Sequence, residues 1–166
     1  MKTINLCFRV HQRYNLKRYR FFEIGNDHYY YDDYANESAM ATAVEQSYLE
    51  ANRMLLDMIN SSNGRFRVSF SISGLALEQF EQYAPEVIES FQELAKTGSV
   101  EFLATPYGHS LAALYNDDEF EMQVKMQSDK IQELFGKRPT VFANTALLFS
   151  DEIADKVYRM GYKTIM

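Results

Sequence analysis

The sequence predicts an α/β fold in which parallel strands alternate with helices, and three observations lead there. The apolar pattern switches repeatedly between a period of two and a period near 3.6, and glycines or prolines sit close to many of the switches. The 166 residues are 46% hydrophobic and 24% charged, the balance of one compact domain rather than a disordered chain. Strand–helix alternation of this kind favours a parallel sheet with right-handed crossovers. A closed (β/α) barrel takes on the order of 200 residues or more, so this length does not complete one.

The elements follow in order. Residues 3–10 place Ile4, Leu6, Phe8 and Val10 at alternate positions, predicting a strand with one strongly apolar face. Residues 12–33 have no clean period and are full of aromatics and charge, so they read as a long loop. From Asn36 to Asn60, Val44, Tyr48, Ala51, Leu55 and Met58 recur at helical spacing, and SSNG ends that helix at Gly64. A second strand (66–73) alternates Phe66, Val68, Phe70 and Ile72 with Arg67, Ser69, Ser71 and Ser73. The helical stretch after Gly74 runs to Thr97 but restarts at Pro85, because proline suits a first turn and not a helix interior. A third strand (99–105) leads into the loop PYGHSLAALYN, and Asp117 or Asp118 can cap a helix carrying Phe120, Val124, Ile131, Leu134 and Phe135. A fourth strand (140–144) precedes a helix capped by Ser150, with Glu152 in its first turn, and YKTIM forms a last short strand.

Several function classes are disfavoured by composition. Lys plus Arg is 17 against 23 for Asp plus Glu, a net charge of −6, the wrong sign for coating nucleic acid or an anionic membrane. The single cysteine, Cys7, cannot form an internal disulfide or a multi-cysteine zinc site, so a cytoplasmic setting is expected. The apolar run at the start is broken by Arg9 and His11, too short for a secretory core, and no stretch approaches the roughly 20 apolar residues of a membrane helix.

In parallel α/β folds chemistry gathers at the carboxyl ends of strands. His11 and Gln12 follow strand one; Pro106, Tyr107, Gly108 and His109 follow strand three; Asn144, Thr145 and Ala146 follow strand four. Each histidine reads either as a hydrogen-bonded structural residue or as a ligand contact. Together they could hold a metal with Asp32, Asp33 or Glu101, yet there is no HExxH or HxxEH spacing. There is no GxSxG, GxGxxG or GxxxxGK[ST] either, so neither a serine elbow nor a phosphate cradle is expected. In the loop 13–34, Phe21, Phe22 and Tyr29-Tyr30-Tyr31 are interleaved with basic residues. They read as packing over the barrel mouth or as faces for stacking sugars; nucleic acid is disfavoured by the charge.

At these residues the sequence resembles glycoside hydrolase family 57, the α-amylase-like and glucanotransferase-like enzymes of α-glucans. The matching pieces are VHQ (10–12), RYRFFEIGNDHYYYDD (18–33), VSFSISG (68–74), YAPEVIESFQELAKTGSVEFLATPYGHSL (83–111) and NTALLFSDEIADKVYRMGYK (144–163), in order over essentially the full chain. The resemblance implies that residues 1–166 are part of a (β/α)7 TIM-like barrel, truncated near the fifth strand. It implies an α-glucan or maltooligosaccharide partner, contacted by His11, Gln12, Tyr107, His109 and Asn144, and no cofactor or metal.

It also implies a retaining mechanism, in which one carboxylate attacks the anomeric carbon and a second protonates the leaving oxygen. The family's nucleophile is a glutamate in an NTE-like context after strand four; here that triplet is Asn144-Thr145-Ala146. Its acid is an aspartate on a later strand, expected beyond Met166. Two further departures are His11-Gln12-Arg13 in place of HQP, and TPYGHS (105–110) in place of ETYxHS. Three readings follow: an α-glucan-active family member that is catalytically incomplete as this chain, a non-catalytic carbohydrate-binding or regulatory homologue, and a metal-dependent deacetylase-like enzyme on a related barrel. A truncated barrel would leave strand edges open, so self-association or completion by a C-terminal part is expected.

Overall fold

A computed structural model describes residues 4–26 and 28–166; Thr3, in the predicted first strand, and Asp27, in the predicted loop, lie outside them. Within these residues the chain forms parallel strands β1 (Cys7–Val10), β2 (Val68–Ile72), β3 (Val100–Leu103), β4 (Val141–Phe142) and β5 (Thr164–Ile165). Val10 lies opposite Ile72, and Ser71 opposite Leu103. β4 pairs with β5, and a parallel bridge between Ala104 and Phe142 joins the two groups, with Ala143 N–H donating to Ala104 O at 2.8 Å. Spatial order therefore follows sequence order, as a segment of a (β/α) barrel requires.

The helices are α1 (Asp33–Ala43), α2 (Leu49–Ser61), α3 (Gly74–Tyr83), α4 (Pro85–Lys96), α5 (Asp117–Phe135) and α6 (Asp151–Arg159). Pro85 opens α4 in its first turn, as its fixed φ favours. Ser73 and Ser150 cap α3 and α6 through their hydroxyls. α5 is capped by Asn116 rather than by the expected aspartates, which instead place negative charge in its first turn.

The single helix expected over 36–60 is interrupted by a π turn at Val44–Tyr48. Its inward positions Asn36, Met40, Val44, Tyr48 and Asn52 recur every four residues, and each such step overshoots an α-turn by about 40°. A wider turn absorbs part of that drift, keeping Met40, Val44 and Leu55 in one core.

Alternation along the strands separates two faces. Val10, Val68, Phe70, Ile72, Val100 and Phe102 join the core beneath the helices, where Phe102 and Phe135 stack with centroids 4.3 Å apart. The opposite face carries Cys7, Arg9, Ser69, Ser71 and Glu101; the two serines are buried while Cys7, Arg9 and Glu101 are exposed. The expected apolar face of the first strand is only partly buried: Val10 is covered, but Ile4, Leu6 and Phe8 are exposed. β1 is an edge among the described strands, and in that row Phe8 stacks on Phe70 while Val10 reaches the core. A second core, around Phe120, Phe142, Ile153 and Val157, packs α5 and α6 against β4.

The loop after β1 is more ordered than its aperiodic sequence suggests. Leu16 and Tyr31 form an antiparallel bridge, and the buried Asn36 amide grips the backbone of Asn15, accepting from its N–H at 2.6 Å and donating to its carbonyl at 3.3 Å. Phe21 and Phe22 sit in a turn at its tip, 80% and 85% exposed, so they do not pack over the sheet. No helix among the described residues is long and apolar enough to cross a membrane.

Candidate active site

The aligned strand ends bring His11 and His109 together. Their rings stack with centroids 4.4 Å apart and planes 23° off parallel. His11 follows the last residue of β1, while His109 sits at φ 53° in a tight turn whose N–H donates to Pro106 O at 3.1 Å. His11 Nδ1 lies 2.9 Å from Ser73 Oγ, the same atom that accepts from Ala76 N–H to cap α3. In the tautomer where Ser73 donates, His11 carries its proton on Nε2, free for a ligand. Burial holds both imidazoles below their ordinary pKa, and for His109 the neighbouring His11 and Arg9 charges act in the same direction. The pair is therefore neutral near pH 7, with nitrogens suited to hydroxyl groups.

Tyr107 lies across the start of α3, over Gly74, whose missing Cβ makes room for the ring. Its hydroxyl donates to Glu78 Oε1 at 2.7 Å, and Tyr14 reaches Oε2 of the same carboxylate at 3.5 Å. Gln12 contributes its backbone carbonyl, which accepts from the buried Gln79 amide at 2.9 Å. Asn144 is 1% exposed, and its amide accepts from Thr145 N–H and donates to Leu148 O. Its amide thus shapes the turn after β4 and is not presented to a ligand. Ala146 is exposed on that turn at φ 53°, followed by Leu147 at φ 55°, both left-handed. Arg9 donates to Asn144 O at 3.3 Å, linking β1 to this turn.

Two glutamines one helical turn apart on α5 hold the rim in place. Gln127, fully buried, donates to Ile72 O at 2.8 Å and Leu103 O at 3.2 Å and accepts from Thr105 N–H, tying the ends of β2 and β3 together. Gln123 Oε1 accepts from Gly108 N–H at 3.1 Å and Ser110 Oγ at 2.9 Å, fastening the loop that carries His109. Ser73, Glu78, Gln123 and Gln127 were not among the expected site residues. Gln127 had a signal, since it interrupts the apolar stripe Phe120, Val124, Ile131 at helical spacing.

The carboxylates considered as metal partners lie elsewhere. Asp32 caps α1, Asp33 accepts from Tyr29 and Tyr83, and Glu101 accepts from Thr140. No three His, Cys, Asp or Glu side chains among the described residues group as metal ligands. A cavity of about 710 Å³ opens at the opposite, amino-terminal ends of the strands, between Arg67, Val100 and Pro139, and includes none of the rim residues.

Comparison with known proteins decides the family. The sequence profile of glycosyl hydrolase family 57 matches residues 5–166. The chain belongs to that family. A Methanocaldococcus jannaschii protein named "Putative alpha-amylase" is 32% identical to this family 57 chain over 165 residues, 98% of the chain and 35% of that protein. The 4-alpha-glucanotransferase of Thermococcus litoralis superposes with a TM-score of 0.71 at 17% identity, covering 97% of the chain and 21% of the enzyme. The family 57 chain thus spans about a third of its curated relative and about a fifth of the glucanotransferase. A CE4 family pseudoenzyme from Bacillus anthracis matches at TM-score 0.56 and 16% identity over 73% of the chain and 40% of its own. Similarities at these low identities show a shared fold.

Proposed function

We propose that residues 1–166 are part of a family 57 (β/α) barrel domain whose strand-end rim binds α-glucan, and that the chain does not itself hydrolyse it. The observation that carries the proposal is the stacked His11–His109 pair, held by Ser73 at the aligned ends of β1, β2 and β3, with Tyr107 beside it. Neutral imidazoles exchange hydrogen bonds with sugar hydroxyls, and an aromatic ring covers the C–H face of a pyranose. Gln12 and Asn144 support the rim through backbone placement, Gln12 by its carbonyl and Asn144 by the turn it closes.

Absence of turnover rests on Ala146. It stands where the family resemblance puts the nucleophilic glutamate, and a methyl group cannot form a glycosyl-enzyme bond. A cytoplasmic setting fits an exposed, unpaired Cys7.

Calorimetry with maltotriose tests the binding, beside a reducing-sugar assay on starch. Binding without sugar release, weakened at least tenfold by His109→Ala, is the expected result. No heat at millimolar ligand would overturn the glucan reading, and release above a contaminant control would overturn the inactivity.

A further inference from the structure

Arg9 lies one strand layer below the histidine pair. Arg9 and His11 are two residues apart, so both leave β1 on its serine-bearing face, with Arg9 about 6.6 Å further down. The register sets Arg9 opposite Ser71, one layer below the Ser73 that holds His11. Arg9 is exposed, and its one hydrogen bond among the described residues is the 3.3 Å contact with Asn144 O. No described carboxylate lies within ion-pair distance of it. Glu78 is occupied by the hydroxyls of Tyr107 and Tyr14, and Glu101 stands a layer deeper, opposite Ser69, where it accepts from Thr140. The turn that Arg9 touches carries an alanine, not an acid, at position 146. The charge of Arg9 is nevertheless felt at the rim, where together with burial and His11 it holds the His109 imidazole down. Arg13, exposed and likewise without an ion pair among the described residues, adds to it. The rim is thus locally positive on a chain of net charge −6.

We infer that Arg9 anchors an oxyanion site beneath the histidine pair, and that the rim's preferred ligand is a glucosyl unit bearing a phosphate ester or a carboxylate. The inference rests on the sugar reading of the histidine pair and adds a charged substituent to the ligand. A guanidinium meets phosphate or carboxylate through paired, charge-assisted hydrogen bonds, and Arg9 has donors left for them. The imidazoles one layer above take ring hydroxyls. A single molecule carrying both groups therefore satisfies both layers, whereas a neutral sugar satisfies the upper layer alone and leaves Arg9 to water.

The test is calorimetry at neutral pH with glucose, glucose 6-phosphate and glucuronate, beside maltotriose. Maltotriose reports on the glucan reading, and the preference for a charged over a neutral monosaccharide reports on Arg9, so each can fail alone. Glucose 6-phosphate or glucuronate should bind about tenfold tighter than glucose, and the tighter of the two identifies the oxyanion. In the unaltered chain that preference should fall severalfold between about 50 and 500 mM NaCl, because the site is open to solvent. Arg9→Gln should abolish the preference and Arg9→Lys should keep part of it, with thermal midpoints showing that each variant is folded. Equal affinities of the unaltered chain for the three monosaccharides, or no binding of any, would overturn the oxyanion site. So would a preference that ignores salt, or one that survives in folded Arg9→Gln, since the anion would then be held elsewhere. Tight binding of glucose 6-phosphate with no heat from maltotriose would overturn the glucan reading and keep the oxyanion site.

Discussion

Gly74→Ala sets helix propensity against packing, and the structure decides the sign. Gly74 is the first residue of α3 and does not have a positive φ, so alanine is tolerated by the backbone. On backbone grounds alone the change should stabilise by about 0.4–1 kcal/mol. The added Cβ, however, would fall on Cγ, Cδ2 and Cε2 of the Tyr107 ring, closer than real carbon contacts allow. The ring cannot swing away freely, because its hydroxyl is bonded to Glu78 and its own carbonyl accepts from Leu75 N–H. Overpacking of this kind costs about 1–3 kcal/mol, and losing the Tyr107–Glu78 bond adds about 1 kcal/mol. The net is a destabilisation of about 2 kcal/mol, a urea midpoint lowered by roughly 1 M at the usual slopes for small proteins. In a Tyr107→Ala background the clash is gone and Gly74→Ala should turn neutral or mildly stabilising, giving a coupling near 2 kcal/mol in the double-mutant cycle. A stabilising Gly74→Ala in the unaltered chain, or the same cost with Tyr107 removed, would refute the reasoning.

Asn36→Ala leaves the Asn15 N–H and carbonyl without their side-chain partner, and should cost about 1–3 kcal/mol and speed tryptic cleavage at Lys17, Arg18 or Arg20; an unchanged cleavage rate would count against the pinning role. Because His11 and His109 have folded-state pKa values below the free imidazole value of 6.5, the unfolded chain binds protons that the folded one resists. Stability from this source is full above that pH and declines as pH falls from there towards the lowered folded values, a decline that urea titrations should show weakened in His109→Asn. Ala146→Gly relieves a left-handed φ that costs an L-residue about 1–2 kcal/mol, less the entropy a glycine adds to the unfolded chain, so the gain should be about 0.5–1 kcal/mol. A thermal midpoint that stays level or falls would contradict it.

How much of this was legible in the residues depends on range. The order of strands and helices, the restart at Pro85 and the cap at Ser150 follow from periodicity and local chemistry, which act within a turn or two of chain. The placement of His11, Tyr107 and His109 at strand ends was equally readable, as was the family, through ordered motifs such as VHQ and VSFSISG. The π turn was harder to see, because an apolar spacing of four resembles an ordinary helix until its drift is summed over several turns. The loop after β1 looked formless because its order comes from contacts between its two ends, such as the Leu16–Tyr31 bridge and the Asn36 amide reaching 21 residues back to Asn15.

By itself, the sequence determined the parallel strand–helix alternation, the family and the alanine at position 146. Tertiary structure alone decided that the two histidines stack, that Asn144 closes a turn, that Glu78 and Asp33 gather tyrosines, and that Gln123 and Gln127 clamp the rim. The physical reason is separation. Glu78 meets Tyr107 across 29 residues and Gln127 meets Ile72 across 55, distances over which no period in the sequence carries information and only the folded sheet brings the groups together.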